Sequence, residues 1–386
     1  MRILSISINL LKAAALFLPL AMHTAAMQYV SFKKMPDRLE TPAMSYEEAS
    51  RSLLIDVDRA GARLVAVGEH GNIIYSNDNG ESWSQAVVPV STTLTALNFP
   101  TPSQGWAVGH GAVILHSADG GLTWVKQLDG FQANQMVVDL ARKHRDELVQ
   151  RISAASDSEK RNLEYELDEA EFALEDARFD TTIGPSKPLL DVWFKDEKEG
   201  VAIGAYGFFF RTTNGGKTWE NWANEIDNID RYHLNAIQQI EGGALFIVGE
   251  AGNLFLSTDL GESWSTITSP YEGSLFGITG TQTADEVLVF GLRGSVFRPS
   301  DIGQQWNKIN LPVAATLTAA MLDDSGTITL VGHSGTLLVS DDGGRSFKVD
   351  ERKDLQAFNA VTVVDNKDLV LVSENGITLT QVSPGR

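Results

Sequence analysis

The sequence contains no cysteine. Disulfides, thiolate metal sites, cysteine nucleophiles and a lipid-anchored N-terminal cysteine are therefore excluded. Positive charge is scarce: 31 Lys and Arg stand against 50 Asp and Glu, a net charge of −19. A chain this acidic lacks the broad basic surface that nucleic acid or anionic lipid requires. Beyond residue 26 no apolar run approaches the roughly 20 residues of a membrane-crossing helix. Short catalytic signatures are also missing, with no HExxH, no GxSxG elbow and no phosphate loop.

What is present begins with a leader. Arg2 and Lys12 give a basic start, residues 13–22 an apolar stretch, and Thr24-Ala25-Ala26 a small-residue cleavage site. Residues 1–26 thus read as a signal peptide, with an uncleaved interfacial anchor as the alternative. The expected mature chain is 27–386, periplasmic or otherwise exported. Hydrophobic residues make up 43% of the sequence, enough for a sizeable core, and 34 glycines favour a β-rich chain with many turns.

One pattern recurs along almost the whole length. It runs Val67-Gly68-Glu69-His70-Gly71, then Ile73-Ile74, then Ser76-Asn77-Asp78-Asn79-Gly80-Glu81-Ser82-Trp83. The same frame returns at 108–124, 203–219, 248–264, 290–306 and 331–347. A seventh copy starts at Val372-Ser373-Glu374-Asn375-Gly376 and stops short. The closing aromatics at 83, 124, 219, 264, 306 and 347 lie 41, 95, 45, 42 and 41 residues apart. Each unit reads as four short strands; in the second they are 94–99, 105–108, 113–116 and 123–128. A four-stranded unit of about 40–45 residues is the pattern of a propeller blade. The expected fold is all-β, a seven-bladed β-propeller. Its innermost strands carry a column of small residues at Ala96, Ala236, Gly277, Ala319 and Ala360. Because Ser31-Phe32-Lys33 matches Ser346-Phe347-Lys348, the segment before the first blade is expected to supply the strand missing from the seventh.

The element Ser117-Ala118-Asp119-Gly120-Gly121-Leu122-Thr123-Trp124 is an Asp-box, or BNR repeat, and it returns as Thr212-Thr213-Asn214-Gly215-Gly216-Lys217-Thr218-Trp219. With Val-Gly-x-x-Gly before each box, the chain resembles the photosystem II stability and assembly factor family. That resemblance implies a non-catalytic lumenal or periplasmic propeller that helps assemble a membrane protein complex. In a photosynthetic source the compartment would be the thylakoid lumen. No arginine cluster of the family transfers onto matching positions here. The box residues Asp78, Asp119, Asn214, Asp259, Asp301 and Asp342 read as structural. A short carboxylate or amide accepts N–H bonds within its own turn, and Gly supplies the positive φ that follows. None sits in a complete calcium loop.

Strand order sorts the loops onto two faces. Asp-boxes join third to outermost strands; the turns from second to third strand and the blade connections form the opposite face. In Asp-box enzymes, resemblance implies, that opposite face bears the active site. Here it carries Glu69, His70, His110, Tyr206, Glu250, Arg293, His333 and Glu374, with Arg231, Tyr232 and His233 from one connection. This is the candidate partner-binding face, although turn tips are also polar simply because they are wet. No metal, cofactor or catalytic residue is assigned, since the tips stand too far apart to converge on an ion.

Residues 132–186 interrupt the repeat and emerge on this same face. Val137, Leu140, Leu148 and Ile152 suit one helix; Leu163, Leu167, Ala170, Leu174 and Ala177 form a 4-3-4-3 stripe in a second. Ser156-Asp157-Ser158-Glu159 between them is a capping box. The expected element is an antiparallel helical hairpin, with Arg142, Lys143, Arg145 and Arg151 facing the acidic second helix. A charged solvated helix is the plain reading; an arm that touches a protein partner, such as a membrane complex, is the functional one. Two other functions share the fold. A periplasmic accessory subunit of an envelope transporter differs only in its client. The other is a glycoside hydrolase or sialidase, and sialidase chemistry needs an arginine triad, a Tyr nucleophile with a Glu partner and an acid/base carboxylate. Arginines on the face are few (Arg231, Arg293 and Arg51 at most), while Asp56 and Asp191 lie on inner strands.

Overall fold

The computed structural model describes residues 37–301, 305–350, 352, 355–364 and 368–381. Alternating, β-branched segments separated by Gly- and Asp-rich turns fold into seven antiparallel sheets. Sheet 1 comprises Leu54–Ala60, Arg63–Gly68, Ile73–Ser76 and Ser84–Gln85, paired in chain order from inner to outer strand. Sheets 2 to 6 repeat this order from Leu94, Leu189, Leu234, Leu275 and Leu317, and each has four strands. Sheet 7, Phe358–Val363, Asp368–Ser373 and Gly376–Gln381, has three among the described residues. In sheet 2 the strands are Leu94–Asn98, Gly105–Gly109, Ile114–Ser117 and Val125–Leu128, within two residues of the expected bounds.

Each inner strand packs on the next, and the seventh packs on the first, so the sheets form a closed, propeller-like cycle. The closing seam is apolar. Leu54, Val57, Leu64 and Ile74 of sheet 1 share one core with Ala360, Val370 and Val372 of sheet 7. Two side-chain bonds cross it: Arg59 Nη1 donates to the Val363 carbonyl at 2.8 Å, and Asn359 Nδ2 to the Leu54 carbonyl at 2.7 Å. The Ser31-Phe32-Lys33 strand expected to complete sheet 7 lies outside the described residues, as does the leader.

All seven inner strands share a register shift after their first residues, as between Leu54 and Asp56 or Leu94 and Ala96. The residue just past the shift pairs with the second strand at Val67, Val108, Ile203, Val248, Phe290, Val331 and Val372. That position is the small-residue column of the sequence, but sheets 1 and 3 place Asp56 and Asp191 in it. Side chains knit neighbouring inner strands together. Asp56 Oδ2 accepts the Leu97 N–H at 2.9 Å, Asp58 Oδ2 the Phe99 N–H at 2.9 Å, and Asp191 Oδ2 the Ile237 N–H at 2.8 Å. Thr95 donates to the Leu189 carbonyl and Thr318 to that of Phe358.

Between sheets 2 and 3 the chain forms two helices, α1 (Gly130–Ala154) and α2 (Asp157–Ile183), packed on each other. Glu159 accepts the Ser156 backbone N–H, the carboxylate half of a capping box, and the Ser156 hydroxyl donates to the same carboxylate. A second box, unforeseen, starts α1: Asp129 accepts the Phe131 and Gln132 N–H groups while Gln132 Oε1 accepts that of Asp129. Leu163, Ala170, Leu174 and Ala177 are buried, with Leu167 partly so. On α1 the buried contacts are Val138 and Leu148, whereas Val137, Leu140 and Ile152 are half-buried. The base of α1 is built into the sheets, because Ala133 joins the core that holds Trp106 and Phe194. The expected cross-hairpin charges need correction. Arg151 does reach Glu166 at 3.6 Å, but Arg142, Lys143 and Arg145 pair with Asp139, Glu147 and Asp146 of their own helix. Arg142 and Lys143 have acids three or four residues away on their own helix, where side chains are already neighbours, and Arg145 bends onto the adjacent Asp146.

Candidate turn face and its surroundings

The second-to-third turns of sheets 1 to 5 are single 3-10 turns, beginning at Glu69, His110, Ala205, Glu250 and Leu292. His70, Tyr206, Ala251, Arg293 and Ser334 adopt left-handed φ of 54 to 58° at the middle of their turns. Since Ala251 and Ser334 share this geometry, it belongs to the repeat rather than to any special chemistry. These turns contact the inner strand of the following sheet.

Of the eleven residues expected on this face, three form one cluster. His233 Nδ1 lies 3.1 Å from Glu250 Oε2, and its ring meets Tyr206 edge-on at 5.1 Å between centroids. Lys187, just beyond α2, holds its ammonium 5.3 Å over the Tyr206 ring and pairs with Asp180 of α2. The foot of the helix pair therefore adjoins this cluster. Glu69 and His70 pair at 3.6 Å in sheet 1. His110, Arg231, Arg293, His333 and Glu374 are not joined to one another by any hydrogen bond or ion pair among the described residues. Two candidates also serve the fold: Glu69 accepts the Leu53 N–H and Glu250 that of His233, both at 3.3 Å. Among the described residues, no three His, Asp or Glu side chains gather as a metal ion would require. A shallow cleft of about 440 Å³ lies instead at the hairpin tip, between Arg151, Glu159 and Glu166.

In the opposite, Asp-box turns the central carboxylate is satisfied within its own turn. Asp78 Oδ1 accepts from the Ser76 hydroxyl at 2.7 Å and the Ser82 N–H at 2.9 Å, while Oδ2 takes the Ser82 hydroxyl. Ser76 Oγ in turn accepts the Gly80 N–H, and the Trp83 indole donates to the Gly80 carbonyl. The bonds to the central carboxylate or amide repeat around Asp119, Asn214, Asp259 and Asp342, and the indole bond repeats at Trp124, whereas the buried Trp219 and Trp264 indole N–H groups have no partner among the described residues. The side chain of Asp301 lies outside the described residues.

These hydrogen bonds set two opposing pH responses. Ser82 and Ser263 bonds push Asp78 and Asp259 down to about 2; at Asp342 burial pulls upward, but the Ser346 bonds outweigh it and it also falls to about 2. The inner-strand carboxylates go the other way. Burial lifts Asp56 and Asp58 to about 6 and Asp191 to about 7, against the lowering effect of the N–H bonds they accept. The Asp56 charge also contributes to raising Asp191, and the Asp58 charge to raising Asp56. Folded values near 2 contribute stability present above pH ~4 and lost on acidification. Folded values of 6 to 7 mean that the unfolded chain ionises first, so stability falls as pH rises from ~4 to ~7. His116, lowered by burial, opposes this trend below its ordinary value of 6.5. We expect the stability lost between pH 5 and pH 8 to shrink in Asp56→Asn/Asp191→Asn. Chemical denaturation at both pH values measures it; an unchanged difference would show that the inner-strand carboxylates do not set it.

Sequence reasoning missed one feature altogether. Tyr165, Phe172, Phe179 and Ile183 are 57 to 68% exposed on α2. Tyr165, Phe172 and Phe179 recur every seven residues and Ile183 follows four later, a spacing offset from the 4-3-4-3 stripe.

Comparison with known proteins places this geometry. Residues 179–311 match the family model described as "Photosynthesis system II assembly factor YCF48". The photosystem II assembly protein Ycf48 of Synechococcus sp. (strain JA-2-3B'a(2-13)) is 26% identical over 197 residues, 47% of this chain. The chain is thus similar to photosystem II assembly factors over part of its length. The alignment spans about half the length (52%) of that curated relative. The fold also matches the structure described as YCF48 bound to D1 peptide, with TM-score 0.60 and 16% identity. That match covers 89% of this chain and 99% of the other. YCF48 from Cyanidioschyzon merolae gives TM-score 0.57 at 13% identity, covering 86% and 96%.

Proposed function

We propose that this chain is an exported, non-catalytic, seven-bladed propeller that binds a protein client and aids assembly of a membrane protein complex. The seven sheets are its blades, and α1 and α2 an inserted antiparallel hairpin that serves as a partner-contacting arm. The observation that carries this reading is the position of the hairpin: α1 packs on the sheet 2 turn at His110, and Lys187 beyond α2 caps Tyr206. Arm and turn face are thus one continuous candidate surface, including Glu69, His70, Arg231, His233, Glu250, Arg293, His333 and Glu374. A relative solved with a D1 peptide supports a segment of a membrane protein as the kind of client. The periplasm, or the thylakoid lumen in a photosynthetic source, is the compartment this implies, after removal of residues 1–26.

The carboxylates argue against catalysis. Both oxygens of Asp56 and of Asp191 accept backbone N–H groups, and the described Asp-box carboxylates are consumed within their own turns. A glycosidase needs one carboxyl free to protonate and another free to attack.

Affinity capture from native membranes tests the arm. Because Ala133 is part of the sheet core, the truncation should replace only residues 141–173 with a short Gly/Ser loop. Loss of a specific membrane complex is the expected result; an unchanged set of captured proteins would remove the arm from the model. Turnover of glycosyl reporters by the pure protein would overturn the non-catalytic assignment.

A further inference from the structure

Helix α2 has two apolar stripes on opposite sides. Leu163, Ala170, Leu174 and Ala177 face α1 and are buried. At about 100° per residue, Tyr165, Phe172, Phe179 and Ile183 fall on the far side, roughly 180° away. Their side chains are 68, 66, 62 and 57% exposed. Water-facing aromatics aligned over some 20 Å of helix contribute nothing to the hairpin's own packing.

Two properties of the ridge select its occupant. Repetition at an interval of seven keeps a seam on one line against another helix that winds around it, whereas a strand or a flat surface needs no such spacing. Its borders are acidic: Asp168 and Glu169 lie between the first two aromatics, Glu175 and Asp176 between the next two. Across α2 ten acidic residues outnumber three basic ones, although Arg161 stands one turn before Tyr165. A second copy would bring the same acidic borders into contact, and an anionic membrane would be repelled in the same way.

We propose that the outer face of α2 is a docking ridge for an amphipathic helix of a partner protein, with apolar residues at heptad spacing flanked by lysine or arginine. Aromatic side chains fill the partner's apolar seam, and the acidic borders set partner choice and register. The proposal rests on the arm reading above and names what the arm would grip.

The test uses the full chain and designed 21-residue peptides, read by fluorescence anisotropy. The first peptide has Leu at the two core positions of each heptad and Lys on the flanks. The second exchanges Lys for Glu. The third keeps the lysines but scrambles the leucines. Binding by the first, at least tenfold weaker binding by the other two, and a tenfold loss in Tyr165→Ser/Phe172→Ser/Phe179→Ser are expected. Equal binding of the scrambled peptide would reduce the effect to bulk charge and overturn the ridge. So would ridge-dependent binding to phosphatidylglycerol vesicles, or ridge-dependent self-association, in place of peptide binding. Should the triple variant lose helix by circular dichroism, Phe172→Ser alone carries the comparison. Native-membrane capture separates the two ideas. A client kept by the triple variant but lost on truncation sinks the ridge and leaves the arm; a client kept by both removes the arm itself.

Discussion

Trp106→Ala is expected to destabilise the fold by about 3–5 kcal/mol, the usual cost of truncating a fully buried large aromatic. Trp106 sits on the second strand of sheet 2 with no exposed surface. Its ring stacks on Phe194 of sheet 3 at 3.6 Å between centroids and 10° between planes, and His116 covers its other flank at 4.7 Å. The indole N–H donates to Gln127 Oε1 at 3.1 Å, and Gln127 Nε2 passes on to the Gly215 carbonyl of the sheet 3 Asp-box at 2.8 Å. Truncation would empty the seam between two sheets and leave Gln127 without its donor. Trp106→Phe should cost less, because it refills most of the volume while losing the hydrogen bond. Urea unfolding followed by intrinsic fluorescence and circular dichroism measures both variants. A loss below about 1 kcal/mol for the alanine variant would mean that the seam collapses around the gap.

Gly68→Ala should be comparably damaging, though it adds one carbon rather than removing many. A Cβ at Gly68 would stand 2.0 Å from the Leu53 carbonyl oxygen, and that oxygen accepts the Glu69 N–H at 3.1 Å. The carbonyl is locked there because the inner strand shifts register at that point, so backbone rather than a yielding side chain must move. We expect a loss of about 3 kcal/mol or more. Equivalent glycines at 109, 204, 249, 291 and 332 meet a carbonyl at 2.1 to 2.5 Å, and Gly249→Ala should behave alike. Sheet 7, whose hairpin turns through only Glu374 and Asn375, has Ser373 at this position and no such constraint. Denaturant midpoints decide the matter: near-wild-type midpoints for Gly68→Ala would show that the register shift relaxes freely.

The first glycine of Val-Gly-x-x-Gly is thus legible as a repeat but not as a reason. Its cause is a carbonyl fifteen residues upstream, and spacing alone does not reveal a clash across a sheet. Strand order, the Asp-box turns and the Ser156–Glu159 cap were readable, because they depend on neighbours within four residues or on a period of about 41. The candidate surface was readable only in part. Topology placed Tyr206, His233 and Glu250 at one end of the sheets, but their convergence depends on how sheets 3 and 4 meet. The pairing of Arg142 and Arg145 was misread because helix-local acids compete with more distant ones. Asp56 and Asp191 could be placed on inner strands, but not the N–H groups of the following sheet that they hold.

The seam between sheets 1 and 7 also bears on how the chain reaches this state. Arg59 and Val363 touch across 304 residues, and Asn359 and Leu54 across 305. Closing so long a loop is entropically costly until every intervening sheet is in place, so this contact forms late. Six junctions grow by docking a sheet onto the one made just before it. The seventh waits for both ends of the queue. Refolding should therefore show a slow final phase that belongs to the latch alone, and under denaturant the ring should part first at that latch.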